Sequence, residues 1–403
     1  MAKLTVRTFK MSSGERMAVL ADGPQGLPVI PVAPYALLLR GRGYALASMR
    51  QALSAVALGL DVFADLRISL VNRVARRRFL SSDELMVLAD RCRVSVPELG
   101  SRMVDPHYAS TRFLTCIDYI KWVAEPVIAR ISDARQHDAA NAALVRFEKR
   151  ARSLAPKADS HPTNDDGSPK ERLGMTPEQR ELFLRVIQPG DPGNPYSSKL
   201  QVRTYAMLML LFELGPRAGE LLGLKCADIN YGAYPAEITI HRRHDDPDDN
   251  RQNPATTKTN ARILLLNDEL RDLLDDWITR HRSDRKQFKA ARKHPYIFVN
   301  YEGEALTDRG LRTIISTLTH RYPELSPIKA HILRHDWNDR WNEATETSKN
   351  HAEDVRDQKA AMGWVDKSTM PLRYGKRSIR NSTNRKILRM QSMGRSARTK
   401  GGG

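Results

Sequence analysis

The chain has 403 residues, too many for one ordinary compact domain, and a formal net charge of +18 with a pI of about 9.9. The positive excess favours a polyanionic partner, although a merely basic soluble protein would also show it. The three cysteines, Cys92, Cys116 and Cys226, are scattered without a CxxC pair. This spacing excludes a disulfide framework and a structural zinc site, and it fits a reducing compartment.

The first 154 residues predict a short β-rich segment followed by a helical domain. Residues 1–31 favour short strands around a turn at Ser12–Glu15. Between residues 44 and 65, apolar side chains recur at steps of three and four, which is one apolar stripe on a helix. Ser81 and Glu84 have the spacing of a capping box at a helix start. Residues 32–154 are therefore expected to form a mostly helical domain.

A cluster of arginines lies in this helical part. Such a cluster is often a solvated surface, but beside a basic chain it is equally typical of a surface that contacts phosphates. The predicted DNA-binding residues are Arg73, Arg76, Arg77 and Arg78.

The composition changes at residues 155–175, where prolines, glycines and polar residues predict an exposed linker. Regular structure restarts at Thr176, with Thr as helix N-cap, Pro177 at the first helical position and Gln179 three residues after the cap. A second domain is therefore expected over residues 176–378. A basic tail, residues 379–403, follows; nine lysines and arginines lie between Lys376 and Lys400, suited to docking on DNA or on a neighbouring subunit.

The second domain is predicted to be helical with one strand interlude. Residues 206–214 are apolar on nearly all sides and predict a buried helix that ends at Gly215. Residues 237–241 and 263–266 predict two strands. The acidic segment between them, around residues 245–250, is expected to be a solvated, flexible loop because its spacing fits no known metal site. Further helices are predicted around residues 268–281, 307–320 and 329–344.

Seven residues of this second domain, taken in chain order, are the groups needed to cut a phosphodiester without a metal. One arginine and one glutamate lie three apart at a helix start, and a histidine and an arginine repeat that spacing on a later helix. Each pair is unremarkable alone, and the order of the whole set carries the prediction. The set is Arg217, Glu220, Lys258, His331, Arg334, Trp364 and Tyr374.

This set resembles the tyrosine recombinase (phage integrase) family. Members carry Arg-x-x-Glu after an apolar helix, a lysine in a β-hairpin, His-x-x-Arg-His, Gly-His or Gly-Trp, and then a tyrosine nucleophile. The resemblance covers about residues 176–380, and residues 32–150 resemble the helical core-binding domain of such enzymes. It implies a mainly α fold with a small β-sheet: a two-domain DNA clamp of a helical core-binding domain and an α+β catalytic domain.

The resemblance also implies roles for the residues around the phosphate. Arginine matches a phosphate bidentately and keeps its proton, so Arg217 and Arg334 would clamp the scissile phosphate from two sides. Trp364 would donate its indole N–H to a phosphate oxygen. Tyr374 would be the nucleophile; a phenol is mostly protonated at neutral pH, so it needs the cationic pocket or a base in order to attack.

The remaining residues would move protons or orient the arginines. His331 would accept a proton or assist through a hydrogen bond, and Lys258 would protonate the departing 5′-oxygen. Glu220 would orient Arg217 without touching the substrate. His335, the last residue of the His-x-x-Arg-His motif, is given a structural role.

The implied reaction cuts and rejoins DNA through a 3′-phosphotyrosine, with neither metal nor ATP. The sequence has no GxxxxGK[ST] loop and no acidic cluster suited to two magnesium ions, so no cofactor and no metal are expected. The expected partner is double-stranded DNA, bound by a homo-tetramer on two duplexes, with accessory DNA-bending or element-encoded proteins as further candidates. No membrane association is expected, because the start lacks an apolar signal segment, and the expected location is the bacterial cytoplasm at the nucleoid.

Three functions fit the motif set. The leading hypothesis is a site-specific DNA recombinase, the integrase of a mobile element, since host chromosome-resolution enzymes of the family are typically shorter. A type IB topoisomerase shares the tyrosine chemistry, but the Arg-x-x-Glu and Gly-Trp context argues against it. A non-catalytic DNA-binding protein on the same fold is the third, and the chemically competent residues at all seven positions argue against it.

The chain also departs from the common family pattern. Asp336-Trp337-Asn338 replaces the small Thr-Phe-Ala run that usually follows the second arginine, and the segment from Asn342 to Asp357 is long and polar. Tyr374 lies ten residues after Trp364, where nine is more usual.

Overall fold

Two compact units, Met1–Lys170 and Glu171–Gly403, make up the chain, and the division falls inside the 155–175 segment predicted as a linker. Each unit has its own hydrophobic core. The computed structural model describes residues 4–95, 102–157, 173–243, 245–257, 259–284, 286–375, 380, 383–388 and 390.

The first unit begins with an antiparallel hairpin in which Leu4 pairs with Asp22 and Lys10 with Arg16, around the predicted turn. Helices follow it. The elements are β1 (Leu4–Lys10), β2 (Arg16–Asp22), α1 (Ala33–Gly41), α2 (Leu46–Asp65), α3 (Leu70–Ala75), α4 (Ser82–Arg93), α5 (Pro106–Ala129) and α6 (Ala134–Leu154).

The apolar stripe of α2 joins the two cores of this unit. Met49 and Leu53 pack with the hairpin and α1, while Phe63 packs with α4, α5 and α6. By length and composition α2 could cross a membrane, but burial of much of its surface explains its apolar character without one. The predicted capping box at Ser81 and Glu84 is confirmed, and it starts α4.

The second unit places a three-stranded antiparallel sheet, in the order β3-β4-β5, among helices. The mainly α fold with small β-sheets is therefore confirmed. Short 3-10 turns and one π-helical turn, Trp277–His281, complete the elements. The helices and strands of the second unit are α7 (Pro177–Val186), α8 (Ser198–Leu214), α9 (Ala218–Gly223), β3 (Ile229–Asn230), β4 (Glu237–Ile240), β5 (Arg262–Leu265), α10 (Asp268–Asp276), α11 (Asp308–Arg321), α12 (Ala330–Ala344), α13 (His351–Met362) and α14 (Met370–Tyr374).

Helix α8 lies at the centre of this unit, as its apolar sequence predicts. Gly215 ends it in the left-handed conformation at φ 58°, a conformation that glycine adopts at little cost. The next residues start α9, and the side chains of Arg217 and Glu220 meet there at 3.3 Å. Arg217 is the N-cap of α9 with extended backbone, and Glu220 accepts its backbone N–H at 3.1 Å.

The acidic segment between β4 and β5, predicted to be a solvated loop, is exposed at Pro247, Asp248 and Asn250 but not throughout. Asp249 and Arg251 are buried and form an ion pair at 2.8 Å. Arg251 Nη1 donates to the carbonyls of Leu222 and Leu306, each at 2.9 Å. Arg251 therefore ties the segment to the end of α9, and Lys225 pairs with Asp246 and Asp248 of the same segment.

Candidate active site

Arg334 is the fixed centre of the site. It lies on α12, it is fully buried, and its Nη1 and Nη2 donate to the carbonyls of Gly215 (2.7 Å) and Met362 (3.0 Å). Those carbonyls lie at the C-terminal ends of α8 and α13, and both helices end in a left-handed glycine, Gly215 and Gly363. A cation suits such ends, because the last carbonyls of a helix lack partners and carry partial negative charge. Arg334 thus joins three helices.

The charge of Arg334 survives this burial. Burial, followed by the nearby charge of Arg217, lowers the pKa of the Arg334 guanidinium to about 10. The group therefore remains protonated at neutral pH. Its Nε has no hydrogen-bond partner among the described residues.

Glu220 supplies the negative charge of the site. It is 2% exposed, and its carboxylate accepts hydrogen bonds from Arg262 Nη2 at 2.7 Å and from the Thr259 hydroxyl. Arg217 Nη1 approaches the same carboxylate at 3.3 Å, and Arg334 Nη1 lies at 4.0 Å. Burial alone would raise the pKa of the Glu220 carboxyl, but the charge and hydrogen bond of Arg262, with Thr259, outweigh it and lower the pKa.

Trp364 and Tyr374 cover this group of arginines. Their rings stack with centroids 5.2 Å apart and planes 24° apart, and Arg334 Cζ lies 5.5 Å from the Trp364 ring centroid. Trp364 is 6% exposed and Tyr374 4% exposed. The buried indole N–H of Trp364 has no hydrogen-bond partner among the described residues. The indole is therefore a second uncommitted donor of the site, after Arg334 Nε.

The two histidines of α12 lie on the other side of Tyr374. His335 is buried, and its ring centroid is 4.3 Å from that of Tyr374, whereas the exposed His331 is at 6.2 Å. The Nε2 atoms of His331 and His335 are 3.0 Å apart, so one of them is protonated and its N–H donates a hydrogen bond to the other. His335 therefore packs against Tyr374 more closely than His331 does.

Lys258 lies outside the described residues, but the chain on both sides of it is fixed. The Thr256 carbonyl lies so close to Gly219 that a Cβ there would be 2.3 Å from it. The Asn260 N–H donates to the Gly363 carbonyl at 2.9 Å. The hairpin between β4 and β5 is therefore anchored to α9 and to the end of α13.

The structure divides the predicted arginine cluster of the first unit. Arg73 forms an ion pair with Glu84 at 2.7 Å, and Arg77 donates to the side-chain carbonyl of Gln136 at 2.6 Å. Arg76 and Arg78 are exposed. Two of the four side chains are therefore engaged by other side chains of the first unit, and the other two are exposed to solvent.

Sequence reasoning missed Arg262 and Thr259, which both contact Glu220. Their only local signal is a charged residue and a hydroxyl at the start of an apolar strand. No group of three or more histidine, cysteine or acidic side chains in the described part of the chain is arranged to hold a metal ion.

The family model for the phage integrase family matches residues 175–378, which include all seven predicted site residues. The chain belongs to the phage integrase family. The predicted resemblance is thus confirmed.

Curated relatives match part of this phage integrase chain. Tyrosine recombinase XerC of Staphylococcus aureus is 25% identical over 194 residues, which are 48% of this chain and 53% of that protein. Tyrosine recombinase XerD of Halalkalibacterium halodurans is 26% identical over 216 residues, which are 53% of this chain and 61% of that protein. The chain therefore spans little more than half the length of these relatives.

A solved structure shares the fold of this phage integrase family member. It is the Tn1549 transposon integrase in complex with transposon right end DNA, with a TM-score of 0.51 and 17% identity. The alignment covers 89% of this chain and 99% of that chain. At this identity the likeness concerns the fold alone.

The geometry predicts that Gly363→Ala destabilises the site. Gly363 has φ 64°, and an added Cβ would lie 2.8 Å from both Arg262 Nη1 and the Asn260 carbonyl oxygen. A left-handed alanine costs about 1–2 kcal/mol, and the overpacking adds about 1–3 kcal/mol. Urea denaturation followed by tryptophan fluorescence measures the loss.

Gly190→Ala is the matched control. Gly190 also has a positive φ, 83°, but nothing lies within 4 Å of an added Cβ. Gly190→Ala should therefore lose only the stability that the left-handed backbone costs, without the loss from overpacking. Equal losses in the two variants would contradict the close packing of Gly363 on the hairpin.

Proposed function

We propose that this protein is a site-specific DNA recombinase that cuts and rejoins double-stranded DNA through a 3′-phosphotyrosine. The observation that carries the proposal is the stacking of Tyr374 on Trp364 beside the Arg334 guanidinium. A phenol among fixed cations and an uncommitted N–H donor is suited to attack a phosphodiester. Membership in the phage integrase family and the names of the relatives XerC and XerD support it.

In the proposed reaction, the Tyr374 phenolic oxygen attacks the scissile phosphorus. A Tyr–O–P bond forms as the bond to the 5′-oxygen breaks; the phenolic proton passes to His331, and Lys258 gives a proton to the departing 5′-oxygen. Arg217, Arg334 and the Trp364 indole stabilise the charge on the non-bridging oxygens. Attack by a 5′-hydroxyl on the phosphotyrosine reverses the step, so rejoining needs no ATP.

The burial of the site adds a requirement to this mechanism. Arg334 is fully buried and Tyr374 is 4% exposed, so a phosphodiester reaches them only if covering side chains move. Because the Arg334 amino groups are committed to helix-end carbonyls, its Nε is the donor that can turn to the phosphate. Binding of DNA is therefore coupled to movement of the Trp364–Tyr374 stack.

We further propose that the recombinase is the integrase of a mobile element, acting in the bacterial cytoplasm at the nucleoid. The length of the chain motivates this, together with the fold it shares with the Tn1549 transposon integrase. Recovery of the DNA that flanks the gene tests it: element ends with inverted core sequences are expected, and their absence would contradict it.

Covalent capture tests the nucleophile. Wild type should form a denaturant-resistant adduct on a nicked duplex built from the sequence that it selects from a random DNA pool. Tyr374→Phe should bind that duplex with unchanged Kd and form no adduct, because the phenolic oxygen makes the bond. Gel electrophoresis in detergent, with and without protease, measures the adduct, and Tyr301→Phe is the control because Tyr301 is exposed.

Each other outcome has a definite meaning. Adducts with Tyr374→Phe would assign the nucleophile elsewhere. Wild type that binds but never forms an adduct would favour a non-catalytic DNA-binding protein. Relaxation of supercoiled plasmids of any sequence would favour a type IB topoisomerase.

Two basic surfaces are proposed to hold DNA. One is the first unit's Arg76 and Arg78, which are exposed. The other is a groove of about 850 Å³ along α11, lined by Arg309, Arg312 and Arg321 with hydroxyl side chains. Cations and hydroxyls on one exposed helix suit the phosphate backbone.

Salt titration of binding distinguishes these arginines. Each phosphate contact contributes about 0.9 to the slope of log Kd against log salt concentration. The double variant Arg76→Ala/Arg78→Ala should lower the slope by about 2, and Arg309→Ala by about 1. Arg73→Ala should leave it unchanged, because Arg73 is paired with Glu84. A slope that falls with Arg73→Ala alone would overturn this assignment.

The active form is proposed to be a homo-tetramer on two duplexes, with accessory DNA-bending or element-encoded proteins as candidates. Family membership and the basic segment 379–403 motivate this; most of that segment lies outside the described residues, although Arg385 forms an ion pair with Glu346. Deleting residues 379–403 should reduce pairing of duplexes more than binding of one protomer. Sedimentation of the protein with duplex DNA measures both, and unchanged assembly would contradict the role of the segment.

A further inference from the structure

Arg262 is a buried arginine outside the predicted set of seven. It is the first residue of β5, where it pairs with Ile240, and it directly follows the hairpin that carries Lys258. Its Nη2 donates to Glu220 at 2.7 Å and its Nη1 to the Thr259 hydroxyl at 3.3 Å. The same Nη1 lies against Gly363, 2.8 Å from the position of an added Cβ. Arg262 therefore contacts three elements of the site.

The charge balance around Glu220 gives Arg262 its importance. One carboxylate meets three guanidinium groups, at 2.7 Å for Arg262, 3.3 Å for Arg217 and 4.0 Å for Arg334. Arg262 has the shortest contact, and it lies outside the predicted phosphate cage. Both amino groups of Arg262 are committed to side chains of the site, Nη2 to Glu220 and Nη1 to Thr259, so this ion pair holds Glu220 in place.

The hairpin is the second element that Arg262 fixes. Thr259 donates to Glu220, and Asn260 donates to the Gly363 carbonyl at 2.9 Å. Lys258, which lies outside the described residues, directly precedes Thr259 in the sequence, so Arg262 contacts the residue next to the predicted general acid.

We propose that Arg262 is a positioning residue that locks Glu220, and through it Arg217, to the hairpin carrying Lys258. The proposal rests on the proposed recombinase function. It assigns to one side chain the coupling between the phosphate clamp and the general acid. A guanidinium is required because it reaches Glu220 and Thr259 at once, whereas an ammonium is a single point charge.

Replacing Arg262 tests the proposal through the rate of adduct formation. Arg262→Met should keep the Kd for the selected duplex within about threefold and slow the adduct by about 100-fold, because misplacement by about 1 Å has an effect of that size. Arg262→Lys should recover part of the rate. Arg280→Met is the matched control, since Arg280 is exposed and pairs with Asp276 at 3.1 Å.

The pH profile of the adduct rate separates positioning from general loss of structure. Arg262 is the leading charge that lowers the pKa of the Glu220 carboxyl, so Arg262→Met should move the acid limb of the profile to higher pH. Glu220 also faces Arg217, Thr259 and Arg334. The small cavity beside Glu220 is lined by further charged and titratable side chains, which are the same in wild type and in Arg262→Met. They are His241, Arg243, Asp246, Asp249, Arg251 and Tyr296.

A measurement without DNA keeps the test independent of activity. Because the folded pKa of Glu220 is lowered, its contribution to stability is present above the unfolded pKa of about 4.3 and is lost as pH falls through the folded value. The Tm difference between wild type and Arg262→Met should therefore be larger at pH 7 than near pH 4. Arg280→Met should show no such pH dependence.

The outcomes are distinct. A wild-type adduct rate in Arg262→Met, an unmoved acid limb, or a Tm difference that is equal at both pH values would overturn the role of Arg262. If wild type itself forms no adduct, the recombinase function fails, and the positioning role fails with it even where the Tm measurement still links Arg262 to Glu220.

Discussion

The site is organised around one carboxylate surrounded by guanidinium groups. Arg217, Arg262 and Arg334 repel one another, and only the buried Glu220 lets them share a small volume. Removing a charge from water is costly unless it is paired, so burial of Glu220 and its ionisation depend on the same arginines. One negative charge among three positive charges leaves an excess of two. An excess of positive charge attracts anions, and in the proposed function the anion is a phosphodiester.

Backbone geometry holds the most buried of these charges. Helices α8 and α13 both end in a left-handed glycine, and each presents a terminal carbonyl to Arg334. A side chain at Gly363 would meet Arg262 and Asn260, and one at Gly215 would meet Trp337 at 3.0 Å. Glycine is required at both positions for two reasons, the positive φ and the close approach. The cationic site therefore depends on helix ends as much as on charged residues.

Local sequence patterns predicted many of the helices, helix caps and strands. The buried helix, the Gly215 stop, the caps at Ser81 and Thr176 and the two strands of the hairpin follow from short-range spacing, and the structure has them. The features that the sequence did not reveal depend on distant partners. Lys225 pairs with Asp246, Arg251 donates to the Leu222 carbonyl, and Arg262 meets Glu220 across 42 positions. Such contacts leave no periodic signal in the chain.

The departure from the family pattern after the second arginine has a structural reason. The Asp336 carboxylate is fully buried and accepts from Arg180 at 2.8 Å and from the Met175 N–H at 3.0 Å, which ties α12 to the start of α7. The Trp337 indole donates to the Glu213 carbonyl at 2.9 Å and packs against Gly215. In a Thr-Phe-Ala run, threonine would carry no charge to pair with Arg180, and phenylalanine would have no N–H to donate. The side chains of Asp336 and Trp337 fix the helix that carries Arg334, so the position of the buried guanidinium depends on anchors outside the motif.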